Sequence, residues 1–255
     1  MNNIVLIFSI IIITLIGCES EILKTQDDQK YLLKKIYSSP DNYKEYFYNP
    51  LAKIIRAKSY YENPWGEVYE TETNYEYDDN GNKIIKETNY STITGVPEYS
   101  YLTYEYNDQN LISKTKAYLK MGDGNYELRS TTKYDYDDYN RLVKTKIYSP
   151  DNVERKLTEL FYDVNGNVIE TNLYQDGNLS FTDKYEYDSK INPLRQNIAG
   201  SSVYTISKNN PIKHFSTNFM MENDNSITVY NFEYNSDGYP ISYIHNSQKF
   251  YFEYY

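Results

Sequence analysis

The sequence predicts an all-β protein in which repeated antiparallel β-hairpins form one elongated, twisted or curled sheet. A motif recurs along the chain: two residues, usually tyrosines, flank a third and are followed by Asp or Asn, a short polar turn and an aliphatic residue. Composition agrees, because the chain has 33 Tyr against 9 Phe and 1 Trp, and Tyr suits the half-exposed faces of strands. Such a repeat predicts an architecture that grows by addition of copies. The copies are Tyr75–Asp78, Tyr104–Asn107, Tyr134–Asp137, Leu160–Asp163, Tyr185–Asp188 and Phe232–Asn235.

Each copy has the pattern of a hairpin. Tyr75 and Tyr77 alternate with Glu76, which is the two-residue period of a strand with one buried face. Asp78 stands where a turn needs a side chain that binds backbone amides, and Gly81 stands where a three-residue loop needs a left-handed residue. An aliphatic residue then marks each predicted return strand: Ile84, Ile112, Val143, Ile169, Leu194 and Ile241.

Three further segments extend the array. A degenerate copy, Tyr204–Ser207 followed by Asn209–Ile212, is predicted to be another hairpin. Tyr251–Tyr254 is predicted to supply a last strand, and Tyr48–Ile55 a partial copy at the other end. The repeat domain is therefore expected to take residues 51–255.

These motifs resemble the YD repeat of RHS-type proteins, and in particular the short YD-like arrays of secreted bacterial lipoproteins. The resemblance covers most of residues 70–246 and implies a long antiparallel sheet that winds or curls. The chain departs from the large RHS proteins in two respects: the Arg that usually follows the turn Gly is kept only as Arg141, and no toxin domain follows the array. Toxin delivery is therefore not expected.

Residues 1–17 are predicted to be a lipoprotein signal peptide. The apolar run Ile4–Ile16 is shorter than the about 20 residues that span a bilayer, but it has the length of a secretory signal core. It ends in Leu15-Ile16-Gly17-Cys18, which resembles a bacterial lipoprotein site and implies lipid on Cys18. This is the only cysteine, so no internal disulfide can form. The alternative is a buried free cysteine that ends a short membrane segment.

Two segments are predicted between the signal peptide and the repeats. Residues 18–29 are polar and predict a tether. Residues 27–38 have apolar side chains at helical spacing, with Asp27 and Asp28 near the start and Pro40 beyond the end. They predict one short helix within a lead-in over residues 30–50.

Charge excludes some partners. The formal net charge is -10, from 36 acidic and 26 basic residues. Since the basic residues form no stripe, neither nucleic acid nor anionic lipid is an expected partner.

Metal binding and catalysis are not predicted. The turns Asp78–Asn82 and Asp163–Asn167 have oxygen ligands but lack the Glu that closes a calcium loop, and turn formation explains the same residues. His214 and His245 are the only histidines and have no metal-ligand spacing.

No Ser or Cys is placed for nucleophilic catalysis, and no cofactor is expected. Carboxylates recur with the repeat, as is expected of residues that form turns or surface ion pairs. Two of them could still serve glycoside hydrolysis.

Aromatic side chains are the candidate ligand site. Tyr60, Tyr61 and Trp65 lie outside the motif and are predicted to contact a ligand. The repeat tyrosines are predicted instead to join neighbouring hairpins, since each cross-strand pair contributes about 0.2–1 kcal/mol. The alternative is that they stack on sugar rings or grip a partner protein.

The sequence as a whole predicts a lipid-anchored protein of the cell envelope with a non-catalytic repeat module for binding or scaffolding. Expected partners are the membrane, through lipid on Cys18, and a glycan or an envelope protein. Glu19 follows the cysteine, whereas Asp there is the retention signal of the inner membrane in enteric bacteria, so the outer membrane is the expected location. The alternatives are a carbohydrate-processing hydrolase and a structural spacer without ligand.

Overall fold

The computed structural model describes residues 31–63, 65–93, 97–195, 202–220 and 224–255. These residues form one antiparallel sheet of 17 strands and one helical turn. The elements are β1 (Leu33–Ser39), β2 (Asn42–Tyr48), β3 (Ile54–Glu62), β4 (Val68–Tyr77), β5 (Ile84–Ser91), β6 (Glu98–Tyr106), β7 (Ile112–Lys120), β8 (Tyr126–Tyr136), β9 (Leu142–Tyr148), β10 (Glu154–Tyr162), β11 (Val168–Gln175), β12 (Asn178–Ile191), α1 (Val203–Ile206), β13 (Asn209–Asn218), β14 (Asp224–Val229), β15 (Asn231–Tyr234), β16 (Pro240–His245) and β17 (Gln248–Tyr254).

The sheet curls into a nearly closed ring. Each strand pairs with the next one along the chain, except at β14 and β15, and β1 also pairs with β17. At the exception, β14 pairs with β13 while β15 pairs with β16, so the chain changes partner at Tyr230. The all-β prediction is confirmed, and the sheet is curled rather than extended. We call the end with the motif turns the base and the opposite end the rim.

The prediction of a helix over residues 27–38 is wrong for the part of that segment that the structure describes. Leu33–Ser39 is strand β1, and residues 27–30 lie outside the described part of the chain. A β-bulge between Leu33 and Lys35 lets Leu33 and Ile36 share one apolar cluster on the inner face. The three-residue spacing that is typical of a helix therefore arises from a bulged strand.

The predicted signal peptide (1–17) and most of the predicted tether (18–29), with Cys18, also lie outside the described residues. Within the described part of the chain, no helix has the length and apolarity needed to cross a membrane.

The Asp or Asn of each motif shapes the turn that follows it. Asp78 Oδ1 accepts the backbone N–H groups of Asn82 at 2.7 Å and Lys83 at 3.1 Å, and these bonds lower the pKa of its carboxyl group. Gly81 has φ +70°, the left-handed conformation predicted for it. The same side-chain oxygen binds turn amides at Asn49, Asn107, Asp137, Asp163 and Asn235.

The second tyrosine of the motif joins neighbouring hairpins. An extra residue bulges each return strand just after the turn, as in the pairing of Tyr77 with Ile84. The Tyr77 hydroxyl donates to the carbonyl of Ile54, at the start of the preceding return strand, at 2.7 Å. Buried carbonyls need such a partner, so the repeat tyrosines hold hairpins together as predicted. Six further bonds of this kind, at 2.6–2.9 Å, join Tyr48 to Leu33, Tyr106 to Ile84, Tyr136 to Ile112, Tyr162 to Leu142, Tyr187 to Val168 and Tyr254 to Pro240.

The described ends of the connection between β12 and β13 lie inside the ring near the base. Leu194 packs against an apolar cluster of β1, β2 and β3, while Val203 of α1 packs against a cluster of β9, β10 and β11 on the opposite side. Asn192 Nδ2 joins the two ends by donating to the carbonyls of Tyr204 at 2.8 Å and Ser207 at 3.0 Å. We call the described residues of this connection, 192–195 and 202–207, the floor. The buried cluster members are Leu33, Tyr46, Ile54 and Ala57 on one side and Leu142, Leu160 and Val168 on the other.

The floor corrects two predictions. Leu194 does not begin a return strand, and the degenerate copy Tyr204–Ser207 is not a hairpin, since Val203–Ile206 is a helical turn. The strand that pairs with β12 is β13, beyond the floor. Leu194 has the distance from the motif that marks a return strand in the other copies, but its side chain packs inside the ring.

The outer face carries cross-strand ion pairs. Most join a lysine to a carboxylate at an outward position on the adjacent strand, while Lys249 of β17 reaches across β16 to Glu233 of β15. Such solvent-exposed pairs contribute about 0–1 kcal/mol each. They include Lys58–Glu72 at 3.0 Å, Lys144–Glu159 at 3.1 Å, Lys184–Glu170 at 3.3 Å and Lys249–Glu233 at 2.7 Å.

Candidate functional site

The three aromatic residues predicted to contact a ligand do not form one site. Trp65 is 84% exposed in the rim turn between β3 and β4. Tyr60 stacks on Tyr43 with ring centroids 5.8 Å apart, and Tyr61 stacks on Tyr69 at 6.0 Å. Because successive strand residues point to opposite faces, Tyr60 and Tyr61 lie on different sides of the sheet.

The inner face offers a more promising site, at one position of the repeat. Each return strand places a residue opposite the first aromatic or apolar residue of its motif, and in most copies that residue is small and buried: Ala57, Thr115, Thr145 and Thr171. Two copies instead carry ionisable side chains, Glu87 opposite Tyr75 and His214 opposite Tyr185. A further copy carries Tyr243 opposite Phe232. Glu87 on β5 and His214 on β13 lie eight strands apart on the inner face, and we call the two groups of residues around them together the lumen site.

Glu87 is held as a fixed acceptor. Its Oε2 accepts the hydroxyl of Tyr104 at 2.7 Å, and its Oε1 accepts the side-chain amide of Asn89 at 3.0 Å. Burial, with the charge of Glu87 as a further cause, raises the pKa of Tyr104. Tyr104 therefore stays neutral and keeps donating across the physiological range.

Lys44 faces the same space and shows that solvent reaches it. Its side chain is exposed, yet enclosure by protein lowers the pKa of its ammonium group, and the charge of Glu87 opposes that shift. The two properties are compatible because the inner face is concave, so the ammonium group contacts water while protein surrounds it. Its neighbour on β1 is Ile36, a residue of the inner apolar cluster. Solvent therefore reaches the inner face at Lys44, and we call the space that it borders above the floor the lumen.

His214 belongs to a second group of the lumen site. Its Nε2 lies 2.9 Å from Asp183 Oδ1, and the two side chains are 22% and 24% exposed. The ring of Tyr185 stacks on the imidazole with centroids 4.7 Å apart and planes 7° from parallel. Stacking and the carboxylate together fix the plane of the imidazole.

The second histidine also faces the lumen, close to the floor. The ring of His245 lies 5.0 Å from that of Tyr230. The Tyr230 hydroxyl is 2.9 Å from the hydroxyl of Tyr204 on α1, and burial raises the pKa of Tyr204. Both histidines of the chain thus border one aromatic-lined space.

The lumen site presents groups of several chemical kinds. Its wall combines tyrosine faces with fixed carboxylates, an imidazole and an ammonium group, and this combination suits polar, hydroxyl-rich molecules that also have apolar faces. Sequence reasoning missed Glu87 and His214. A signal was present, since Glu87 lies three residues after Ile84, the spacing at which Thr115 follows Ile112 and Thr145 follows Leu142.

The turns considered as calcium loops serve the backbone. Oδ1 of Asp163 accepts the amides of Asn165 and Asn167 at 2.9 and 2.8 Å, as Asp78 does in its own turn. Over the described ranges, no group of three or more His, Cys, Asp or Glu side chains is arranged to hold a metal ion.

Comparison with known proteins indicates a fold and no family. No protein-family model and no curated protein sequence matches this chain. Among solved structures, the chain is similar to a porin-like protein from Bacteroides uniformis, with 13% identity, a TM-score of 0.54, and coverage of 87% of this chain and 97% of that one. A porin-like protein from Bacteroides vulgatus gives 14% identity, a TM-score of 0.54, and coverage of 88% and 98%. TcdB2-TccC3 gives a TM-score of only 0.27 at 12% identity, over 80% of this chain and 12% of that one. At these identities, the likeness to the two porin-like proteins is one of fold alone.

Proposed function

We propose that this protein is a lipid-anchored, non-catalytic binding protein of the cell envelope whose lumen site takes a glycan. The observation that carries the proposal is the placement of Glu87 and His214. At a repeat position where most other copies have a small buried residue, these two put ionisable groups on the wall of a solvent-accessible space.

The surroundings of these residues favour a sugar as ligand. Aromatic rings supply flat apolar faces for the C–H side of a sugar ring, and fixed donors and acceptors serve its hydroxyl groups. Both oxygens of Glu87 already accept hydrogen bonds, an arrangement that suits orientation of a ligand better than transfer of a proton. This supports binding over the alternative of hydrolysis.

The repeats are proposed to be of the YD type found in RHS proteins. The turn roles of Asp78 and Gly81 and the recurring tyrosine-to-carbonyl bonds support this proposal, because they give each residue of the motif a structural task. The outward ion pairs support an outer wall that faces water.

The lumen proposal predicts that returning either position to the residue usual in the repeat weakens binding. Glu87→Thr and His214→Thr are each expected to weaken binding of a glycan at least tenfold, the equivalent of about 1.4 kcal/mol, because each removes a polar contact. Isothermal titration against ligands selected from a glycan panel by thermal shift provides the measurement. Trp65→Ala, in the rim turn, is the control and should bind as the wild type does.

The reverse pattern, with binding lost only in Trp65→Ala, would move the site to the rim turn and reject the lumen site. Release of a shortened glycan would favour the hydrolase. A panel without any ligand would favour the spacer.

The anchor is proposed from the sequence around Cys18, with the outer membrane as its location. Metabolic labelling with a fatty acid is expected to mark the wild-type protein and to leave Cys18→Ser unlabelled, since acylation needs the thiol. Fractionation of the membranes then tests the location. Equal labelling of both proteins would exclude lipidation at this cysteine.

A further inference from the structure

Lys44 is an exception to the repeat, as Glu87 and His214 are. It lies two residues before Tyr46, which has the place of the first tyrosine in the copy whose turn begins at Asn49. Because side chains alternate along a strand, this position shares the inner face with that tyrosine. None of the other copies has a cation there; their residues are Thr73, Leu102, Thr132, Thr158, Asp183, Tyr230 and Phe250.

Lys44 also differs from the lysines of the outer face, because it has no carboxylate partner. Among the ion pairs of the described residues, Lys44 takes part in none. Its inner-face neighbours on β1 and β3 are Ile36 and Ser59, which are uncharged. Its Nζ lies 5.3 Å from the centre of the Tyr46 ring, a contact that is attractive but offers no oxygen to the three N–H donors.

The wall beside Lys44 is lined with hydroxyl groups. Ser59, Thr71 and Ser91 follow it on β3, β4 and β5 in one row, each opposite the one before. Since neighbouring strands lie about 4.8 Å apart, the row is about 14 Å long, the length of a short oligosaccharide. Hydroxyl groups both donate and accept hydrogen bonds, so this row can meet the hydroxyl groups of sugar rings.

We propose that the glycan taken by the lumen site is acidic and that Lys44 binds a carboxylate of one of its sugars. The inference rests on the proposed function and adds the charge of the ligand to it. One ammonium group balances the single negative charge of a uronic acid. The row of hydroxyl side chains then lies beside the same sugar ring and its neighbours.

The electrostatics of the lumen are compatible with an acidic sugar at this place. Enclosure by protein lowers the pKa of Lys44, which shows that its charge is poorly solvated, and a nearby opposite charge stabilises such an ion. Glu87 lies on β5, three strands from Lys44 on β2, and its oxygens already accept hydrogen bonds from Tyr104 and Asn89. A single inward cation selects one carboxylate, whereas a polyanion such as nucleic acid needs a basic stripe.

Titration calorimetry with paired oligosaccharides tests the preference for charge. Oligomers of glucuronate, galacturonate and mannuronate are each compared with the same oligomer after reduction of its carboxyl groups to primary alcohols. The wild type is expected to bind at least one acidic oligomer about tenfold more tightly than its reduced form, because hydrogen bonds between charged groups are the stronger ones. Lys44→Thr, which introduces the commonest residue of this repeat position, is expected to bind both forms equally.

Two further variants are controls. Lys58→Thr removes an outward lysine of the adjacent strand and should keep the preference of the wild type. Lys44→Arg keeps the positive charge and should retain most of the preference. Circular dichroism should show that all three variants are folded.

The outcomes separate this inference from the lumen proposal. Equal binding of acidic and reduced oligomers by the wild type, with binding lost in Glu87→Thr, would overturn the acidic ligand and leave the lumen site in place. A preference that survives in Lys44→Thr would overturn the role of Lys44. Failure of the wild type to bind any acidic oligomer would also overturn the inference, while the broader glycan panel still tests the lumen proposal.

Discussion

Leu160→Ala is expected to lower the free energy of unfolding by about 2–4 kcal/mol. Leu160 is 3% exposed and lies where the wall of β9–β11 meets the floor, in contact with the cluster that includes Val168 and Val203. Removing its side chain leaves a cavity between two parts of the chain that cannot easily close on each other. Urea unfolding followed by circular dichroism provides the measurement.

The adjacent residue offers a matched control. Phe161 has the larger side chain, but it points outward and is 45% exposed, so Phe161→Ala should cost less than about 1 kcal/mol. Similar losses for the two variants would show that the inner cluster does not carry the stability attributed to it.

Alkaline pH is expected to unfold the protein through its repeat tyrosines. Burial raises the pKa of Tyr77, Tyr106, Tyr136 and Tyr162 from 10.0 to about 12 each. Because the folded state holds these protons more tightly than the unfolded chain, the stabilisation is complete below pH 10 and disappears as the pH rises to about 12. Even when halved for solvent screening, the combined loss is about 5 kcal/mol, comparable with the stability of a domain.

Urea midpoints measured from about pH 8 to pH 12 test this expectation. Tyr136→Phe removes one of the four groups, so its midpoint should fall less steeply with pH, although it should start lower because the carbonyl of Ile112 loses its donor. A midpoint that is constant across the range would contradict the role of the tyrosines.

Local pattern predicted the parts of the fold that depend on local chemistry. The alternation around Glu76, the amide-binding Asp78 and the left-handed Gly81 are set by a few neighbouring residues, and the structure has them as the sequence predicts. The all-β class follows from the same features.

The sequence did not predict features that depend on long-range contacts. The pattern predicts a helix at β1 because a bulge gives Leu33 and Ile36 the spacing of a helix face. It predicts a strand at Leu194 because distance along the chain does not distinguish packing inside a ring from pairing at its wall. The sequence does not show that Glu87 and His214 point inward, so it does not predict them as site residues. Trp65 is the only tryptophan, and its rarity does not show where it lies in the fold.

The floor ties opposite walls of the ring to each other, because Leu194 contacts one wall and Val203 the other. A duplicated hairpin would add two strands and about 10 Å of circumference, or about 3 Å of diameter, and would move those walls apart. Gene duplication inside this array is therefore expected to favour an insertion between β12 and β13. Copy number and connector length are coupled, and homologues with more hairpins are expected to have a longer connector.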